Sequence, residues 1–139
     1  MNIKIADVMA KRVISVQPHH TLIHARSVME RNRISALPVV GPKKEALGII
    51  TSTDLAQQHK DKTPCSHLIK GKVFSVPAYN DVSIAARIMR KHKIHHVVVT
   101  KEKCVVGLIS SFDLLKLIDG KRFELKRAPT PAKKAKKIK

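Results

Sequence analysis

The sequence predicts an α/β (α+β) fold: two β-α-β-β-α units, residues 1–60 and 61–120, packed sheet to sheet as an intramolecular pseudo-dimer. Three observations predict it. The chain repeats itself at a nearly constant offset, the apolar spacing inside each repeat alternates between strand-like and helix-like periods, and neither unit alone is long enough to bury a substantial core. A shift of 60 residues pairs Val13 with Val73, Val16 with Val76, Ala25 with Ala85, Met29 with Met89, Ile34 with Ile94 and Val39 with Val99. One residue is lost in the loop around Pro42–Ala46. At an offset of 59, Gly48 then meets Gly107, Ile50 meets Ile109, Ser52 meets Ser111 and Asp54 meets Asp113.

Each unit opens with a short amphipathic stretch, Ile5–Met9 or Cys65–Ile69. A strand is expected at Val13–Val16 and Val73–Val76, each followed by proline, Pro18 or Pro77. Thr21 and Asp81 are good N-cap residues and predict helix starts. The apolar sets Leu22, Ala25, Val28, Met29 and Val82, Ala85, Ile88, Met89 follow the spacing of one helix face. Two β-branched runs come next, Leu37–Val40 with Leu47–Thr51 and Val97–Thr100 with Val105–Ser110, and they read as strands. A closing helix is expected from near Thr53 and from near Phe112.

Charge is segregated. The 139 residues carry 28 Lys+Arg against 10 Asp+Glu, a net +18. Residues 121–139 hold nine of the basic side chains and only Glu124, a net +8, leaving +10 on residues 1–120. The segment from Arg127 to Lys139 combines two prolines with blocks of lysine and one large apolar residue. It is expected to be a disordered basic arm, because it cannot bury enough surface to offset ordering. Its cations, Lys126, Arg127, Lys133, Lys134, Lys136, Lys137 and Lys139, suit salt-dependent, sequence-blind contact with RNA or DNA phosphates. Contact with an acidic protein, or plain solvation, accounts for them as well. No run of about 18 apolar residues predicts a membrane span, and no lipidation signal supports membrane attachment. The N-terminus has no secretory pattern, so a reducing cytoplasm is the expected compartment.

The segments Gly48-Ile49-Ile50-Thr51-Ser52-Thr53-Asp54 and Gly107-Leu108-Ile109-Ser110-Ser111-Phe112-Asp113 carry the chemistry. Glycine permits close approach to the backbone, two apolar residues end a strand, and a hydroxyl precedes a carboxylate by three. A carboxylate there can accept both hydrogens of a ribose diol, and the first N–H groups of the following helix suit an anion. Ser/Thr-x-x-Asp is equally a helix capping box, which needs no ligand.

The tandem repeat, these two motifs and the segment Ile34-Ser35-Ala36-Leu37-Pro38-Val39-Val40 together resemble a pair of cystathionine-β-synthase-type (CBS) domains, the Bateman module, over about residues 3–119. The resemblance implies two clefts related by a pseudo-twofold that bind an adenosine-containing ligand: AMP, ADP, ATP, S-adenosylmethionine or, in some members, a cyclic dinucleotide. It implies regulation without catalysis, a homodimer, and an effector protein that reads the ligand state. Carried onto this chain, it makes Asp54 and Asp113 ribose acceptors. Thr51 and Ser110 become ribose or phosphate contacts, and Ile49 and Leu108 base contacts. Ile34, Ser35, Ala36 and Pro38 line the cleft, as do Ile94, His95 and His96, with His95 and His96 standing where a basic phosphate ligand is expected. Thr53 and Phe112 occupy equivalent motif positions. Phe112 fits base stacking, though an aromatic at a helix start more commonly packs into a core. The first unit has Leu37-Pro38-Val39 where the second has Val97-Val98-Val99, which makes the two sites unequal.

Eight histidines raise the question of a metal. His19-His20 with His24, and His92 with His95-His96, have the ligand type but no Cys or carboxylate at ligand spacing, so solvated or phosphate-facing rings are the better account. Cys65 and Cys104 read as inert thiols. With no oriented partner for a nucleophile, no enzyme activity is expected.

Overall fold

The computed structural model describes residues 2–57, 59–69 and 71–119. The basic segment 121–139, with every residue singled out there for nucleic acid, lies outside the described residues.

In the first unit, α1 (Ile5–Val8) precedes α2 (Leu22–Asn32), strands β1 (Ala36–Val40) and β2 (Ala46–Thr51), and α3 (Ser52–Ala56). In the second, a 3-10 turn at Cys65–Leu68 precedes β3 (Ser75–Pro77), α4 (Val82–His92), β4 (His96–Lys101), β5 (Cys104–Ser110) and α5 (Ser111–Asp119). Both long helices begin where a cap allows it. The Thr21 hydroxyl accepts from His24 N–H at 3.3 Å and the Asp81 carboxylate from Ser83 N–H at 2.9 Å, satisfying donors that the first turn leaves unpaired. Both end on a left-handed residue, Arg33 (φ 54°) and Lys93 (φ 55°), which turns the chain into the following strand. The closing helices start one residue earlier than expected from the sequence, at Ser52 and Ser111.

β1 and β2 pair antiparallel, as do β4 and β5, with matching register shifts at Val39/Val40 and Val99/Thr100. β3 adds in parallel to β4, giving sheets of two and three strands. The inequality departs from the expected twin strands at Val13–Val16 and Val73–Val76, and it has a local cause. Val98 N–H donates to Phe74 O at 3.1 Å, extending the pairing of β3 with β4. The corresponding residue of β1 is Pro38, which has no N–H to give. The first-unit segment is therefore reduced to a single bridge, Val16 to Val39, held by Val16 N–H to Pro38 O (3.0 Å) and Val40 N–H to Val16 O (2.9 Å).

The openings of the two units are exchanged. Ile5 is fully buried in the second unit's core with Val76, Val82, Val97 and Ile109, while Cys65 and Leu68 complete the first unit's core around Leu22, Leu37 and Ile50. Backbone bonds tie each crossing: Val82 N–H to Ile3 O and Leu22 N–H to Thr63 O, both 2.9 Å. Asp81 adds a second bond on one side, accepting Ile3 N–H at 3.1 Å. That bond and those to Ser83, the latter the larger cause, hold the Asp81 carboxyl below its usual range. A third cluster, Val40, Val98 and Val105, lies between the two sheets, flanked by Ala46, Val73 and Leu108. It is the apolar seam of the pseudo-dimer.

Candidate functional site

The two repeated motifs end their strands identically. Thr51 lies across from Ala36 and Ser110 across from His96, and the helix that follows is fastened to the lead-in of the neighbouring strand: Ser52 N–H donates to Ser35 O (2.8 Å) and Ser111 N–H to His95 O (2.9 Å). Both capping boxes are formed. Asp54 Oδ2 accepts Thr51 N–H at 2.9 Å and the Thr51 hydroxyl at 3.1 Å, while Asp54 N–H reaches Thr51 Oγ1 at 3.3 Å. Asp113 Oδ2 accepts Ser110 N–H at 2.9 Å and Asp113 N–H reaches Ser110 Oγ at 3.1 Å. The capping role foreseen for these residues is therefore real, and it commits one carboxylate oxygen in each motif while fixing the direction of the other. On Asp113 that other oxygen, Oδ1, faces Lys116 Nζ at 3.7 Å.

Two clefts run beside these caps, and each takes its walls from both units. The Asp113 cleft, about 540 Å³, sets Leu108, Ser110, Phe112 and Asp113 against Ile34, Ser35, Ala36 and Pro38. The Asp54 cleft, about 430 Å³, sets Ile49, Thr51, Thr53 and Asp54 against Ile94, His95 and His96. All fifteen cleft residues singled out in the sequence thus line one cavity or the other. Ser35 and His96 border both. The two features that the sequence made most prominent in the second unit, Ser110/Asp113 and the His95 segment, fall chiefly into different clefts.

Several details differ from expectation. Phe112 is no core residue: it is 67% exposed at the mouth of the Asp113 cleft, with Lys116 Nζ 5.7 Å from its ring centre. The motif glycines admit the chain itself. A Cβ at Gly48 would lie 2.8 Å from two Ile69 side-chain carbons, and one at Gly107 would lie 2.8 Å from Met9 Sδ and 3.2 Å from Ala10 O. Those contacts come from the exchanged openings. Basic residues missed in the sequence also line the cavities: Arg12, Arg33 and Lys116 in the Asp113 cleft, and Lys72 beside Phe74 in the Asp54 cleft. Arg12 and Lys72 occupy the same repeat position, so the 60-residue offset carried a signal for that pair. Phe74 stacks on His92 with ring centres 4.0 Å apart.

Burial pushes His96 below its usual pKa, with His95 adding to the effect and Asp113 opposing it. The His19, His20 and His24 rings lie tilted against one another with centres 4.5 Å apart, and His20 Nδ1 accepts Gln17 N–H at 2.9 Å. Burial first, then its two neighbours, lower the His20 pKa. Among the described residues no group of three or more His, Cys, Asp or Glu side chains converges as a metal site. Cys65 is buried, which raises its thiol pKa.

A family model for the CBS domain matches residues 5–60 and again 65–120. The chain belongs to the CBS-domain family. Among curated relatives, it is 26% identical over 115 residues to the CBS domain-containing protein YhcV of Bacillus subtilis, covering 79% of this chain and 81% of that one. It is 30% identical over 116 residues to a homoserine O-acetyltransferase of Methanosphaerula palustris, covering 82% of this chain but only 24% of the enzyme's length. Among solved structures, the CBS domain pair of protein MJ0100, in complex with 5′-methylthioadenosine and S-adenosyl-L-methionine, superposes with a TM-score of 0.79 at 26% identity, covering 88% of this chain and all of that one. No helix among the described residues is long and apolar enough to cross a membrane.

Proposed function

We propose that this CBS pair is a regulatory module that binds an adenosine-containing nucleotide in its inter-unit clefts and signals occupancy through a homodimer interface or an effector protein. One observation carries the reading: each cleft joins the Gly-h-h-Ser/Thr-x-x-Asp end of one unit to the Ile-x-x lead-in of the other, twice, about one pseudo-twofold. A ligand spanning such a cleft touches both halves at once, so its binding energy bears on their relative placement. The adenosine ligands of the MJ0100 pair support the ligand class. In the proposed pose Asp54 and Asp113 receive ribose hydroxyls on the oxygens that the caps leave over, and Ile49 and Leu108 flank the base.

Titration calorimetry on the full chain with adenosine, AMP, ADP, ATP and S-adenosylmethionine tests this. At least one should bind, and an Asp54→Ala/Asp113→Ala protein should lose on the order of 1.5–3 kcal/mol for each charge-assisted hydrogen bond removed. Silence across the panel, or affinity untouched by the double substitution, sinks the reading.

The +8 carried by residues 121–139 favours a second reading, in which that segment binds RNA or DNA and the CBS pair serves as its dimerisation scaffold. Removing the segment should then abolish RNA binding at low salt. Equal affinity with and without it takes the segment out of the account.

A further inference from the structure

We propose that the two clefts take different ligands: the Asp113 cleft a nucleoside polyphosphate, and the Asp54 cleft an adenosine derivative without a polyphosphate chain. The nucleoside part rests on the function proposed above; the polyphosphate part stands on charge. Three cations line the Asp113 cleft, Arg12, Arg33 and Lys116, against the single carboxylate of Asp113. The Asp54 cleft is lined by one lysine, Lys72, and one carboxylate, Asp54, together with the His95 ring and with His96, which borders both clefts and which burial holds toward its neutral form.

The imbalance follows from substitutions at equivalent repeat positions. Lys116 corresponds to Gln57, and Arg33 to Lys93, which does not line the Asp54 cleft. Arg12 corresponds to Lys72, and guanidinium presents a planar fork that matches two phosphate oxygens where an ammonium acts as a point charge. The helices differ in the same sense. α5 has nine residues and brings its first turn, Ser111–Asp113, to the cleft, whereas α3 has five. A nine-residue helix sums more peptide dipoles toward an anion at its N-terminus. The Lys116–Asp113 contact at 3.7 Å leaves Arg12 and Arg33 as the cations without an acidic neighbour inside the cleft lining. The Asp54 cleft offers instead the half-buried Phe74 ring and imidazoles, surfaces suited to a base or an uncharged tail.

Equilibrium binding on the full chain separates the clefts. With Asp54→Ala in place, the Asp113 cleft should bind ATP at least tenfold tighter than adenosine, an advantage that shrinks as salt rises because the cations are exposed. Arg12→Gln and Arg33→Gly should each remove about tenfold of ATP affinity and leave adenosine affinity within about threefold, a tenfold loss being about 1.4 kcal/mol. Arg33→Gly should keep or raise the melting temperature, since φ near 54° suits glycine, so weakened ATP binding there cannot be put down to misfolding. With Asp113→Ala in place, the remaining Asp54 cleft should bind ATP and adenosine within about threefold of each other. Inorganic tripolyphosphate supplies the independent arm. If adenosine compounds bind neither cleft but tripolyphosphate binds in an Arg12- and Arg33-dependent way, the nucleotide reading fails and the polyphosphate site stands. Equal ATP-to-adenosine ratios in the two clefts, or polyphosphate binding that survives both arginine substitutions, as binding by residues 121–139 would, overturns the proposal.

Discussion

The two clefts share a backbone frame around their capped strand ends and differ in the side chains that hang from it. Strand register, capping boxes, helix-to-strand ties and exchanged openings recur at the 60- or 59-residue offset, yet Ser35 is replaced at the equivalent position by His95, Ala36 by His96, Thr53 by Phe112 and Gln57 by Lys116. The contrast teaches that backbone hydrogen bonding and core burial constrain a duplicated unit far more tightly than the walls of its cavity do. Ser35 and His95, Thr53 and Phe112, and Gln57 and Lys116 are exposed in both copies, so their replacement costs little stability and leaves ligand chemistry free to diverge.

The sharpest way to break the comparison is to remove the crossing that supports it. Ile5→Ala empties a fully buried position in the second core and should lower unfolding stability by about 2–5 kcal/mol. Cys65→Ala, at the equivalent crossing into the first core, removes one sulfur and should cost clearly less. Chemical denaturation of both variants checks the order; a loss below about 1 kcal/mol for Ile5→Ala would mean that this crossing does not carry the second core. A smaller effect is expected at the motif glycines. Gly48→Ala sets a methyl against the stiff, β-branched Ile69 and should cost about 1–3 kcal/mol. Gly107→Ala meets Met9, whose side chain can swing aside, and the backbone Ala10 O at 3.2 Å, which needs to give by only a few tenths of an ångström, so its cost should fall toward the low end of that range. Reversal of that order in thermal melts would contradict the packing.

Smallest is the pH effect. His96 has a folded pKa below its unfolded value of about 6.5, so the unfolded chain takes up a proton first as pH falls. The stabilisation is complete above about pH 6.5, declines as pH drops below it, and levels off once the folded form also protonates. His20 acts in the same direction. His96→Gln should therefore flatten the stability profile just below pH 6.5; a profile identical to that of the unsubstituted protein would remove His96 from this role.

Much of this was legible in the sequence, for particular reasons. Thr21 and Asp81 announced their helices because capping is a local affair of three or four residues, and Leu22, Ala25, Val28 and Met29 announced a buried face because helical period alone aligns them. The clefts' polar floor was legible because the Gly-to-Asp motif is contiguous. Arg33 and Lys116 were not, since each enters its cleft from a helix end whose orientation only packing sets. The missing first strand was also hidden, although its cause is one residue. Pro38 sits in an apolar run that reads as a strand, and its lost N–H matters only once Ile14 and Phe74 are seen at equivalent places.

By itself the sequence determined the repeat, its elements, the capping boxes and the list of residues that could meet a nucleotide, because these depend on contacts short in sequence or on a period. The tertiary structure alone decided which half-sites share a cleft. It sent Ile5 and Cys65 into each other's units and Asp113 to face Ser35 rather than His95. The reason is that the seam of Val40, Val98 and Val105 forms between sheets distant in sequence, and the pairing it imposes across the pseudo-twofold, which put Arg12, Arg33 and Lys116 in one cleft and Lys72 in the other, is written in no local stretch of either unit.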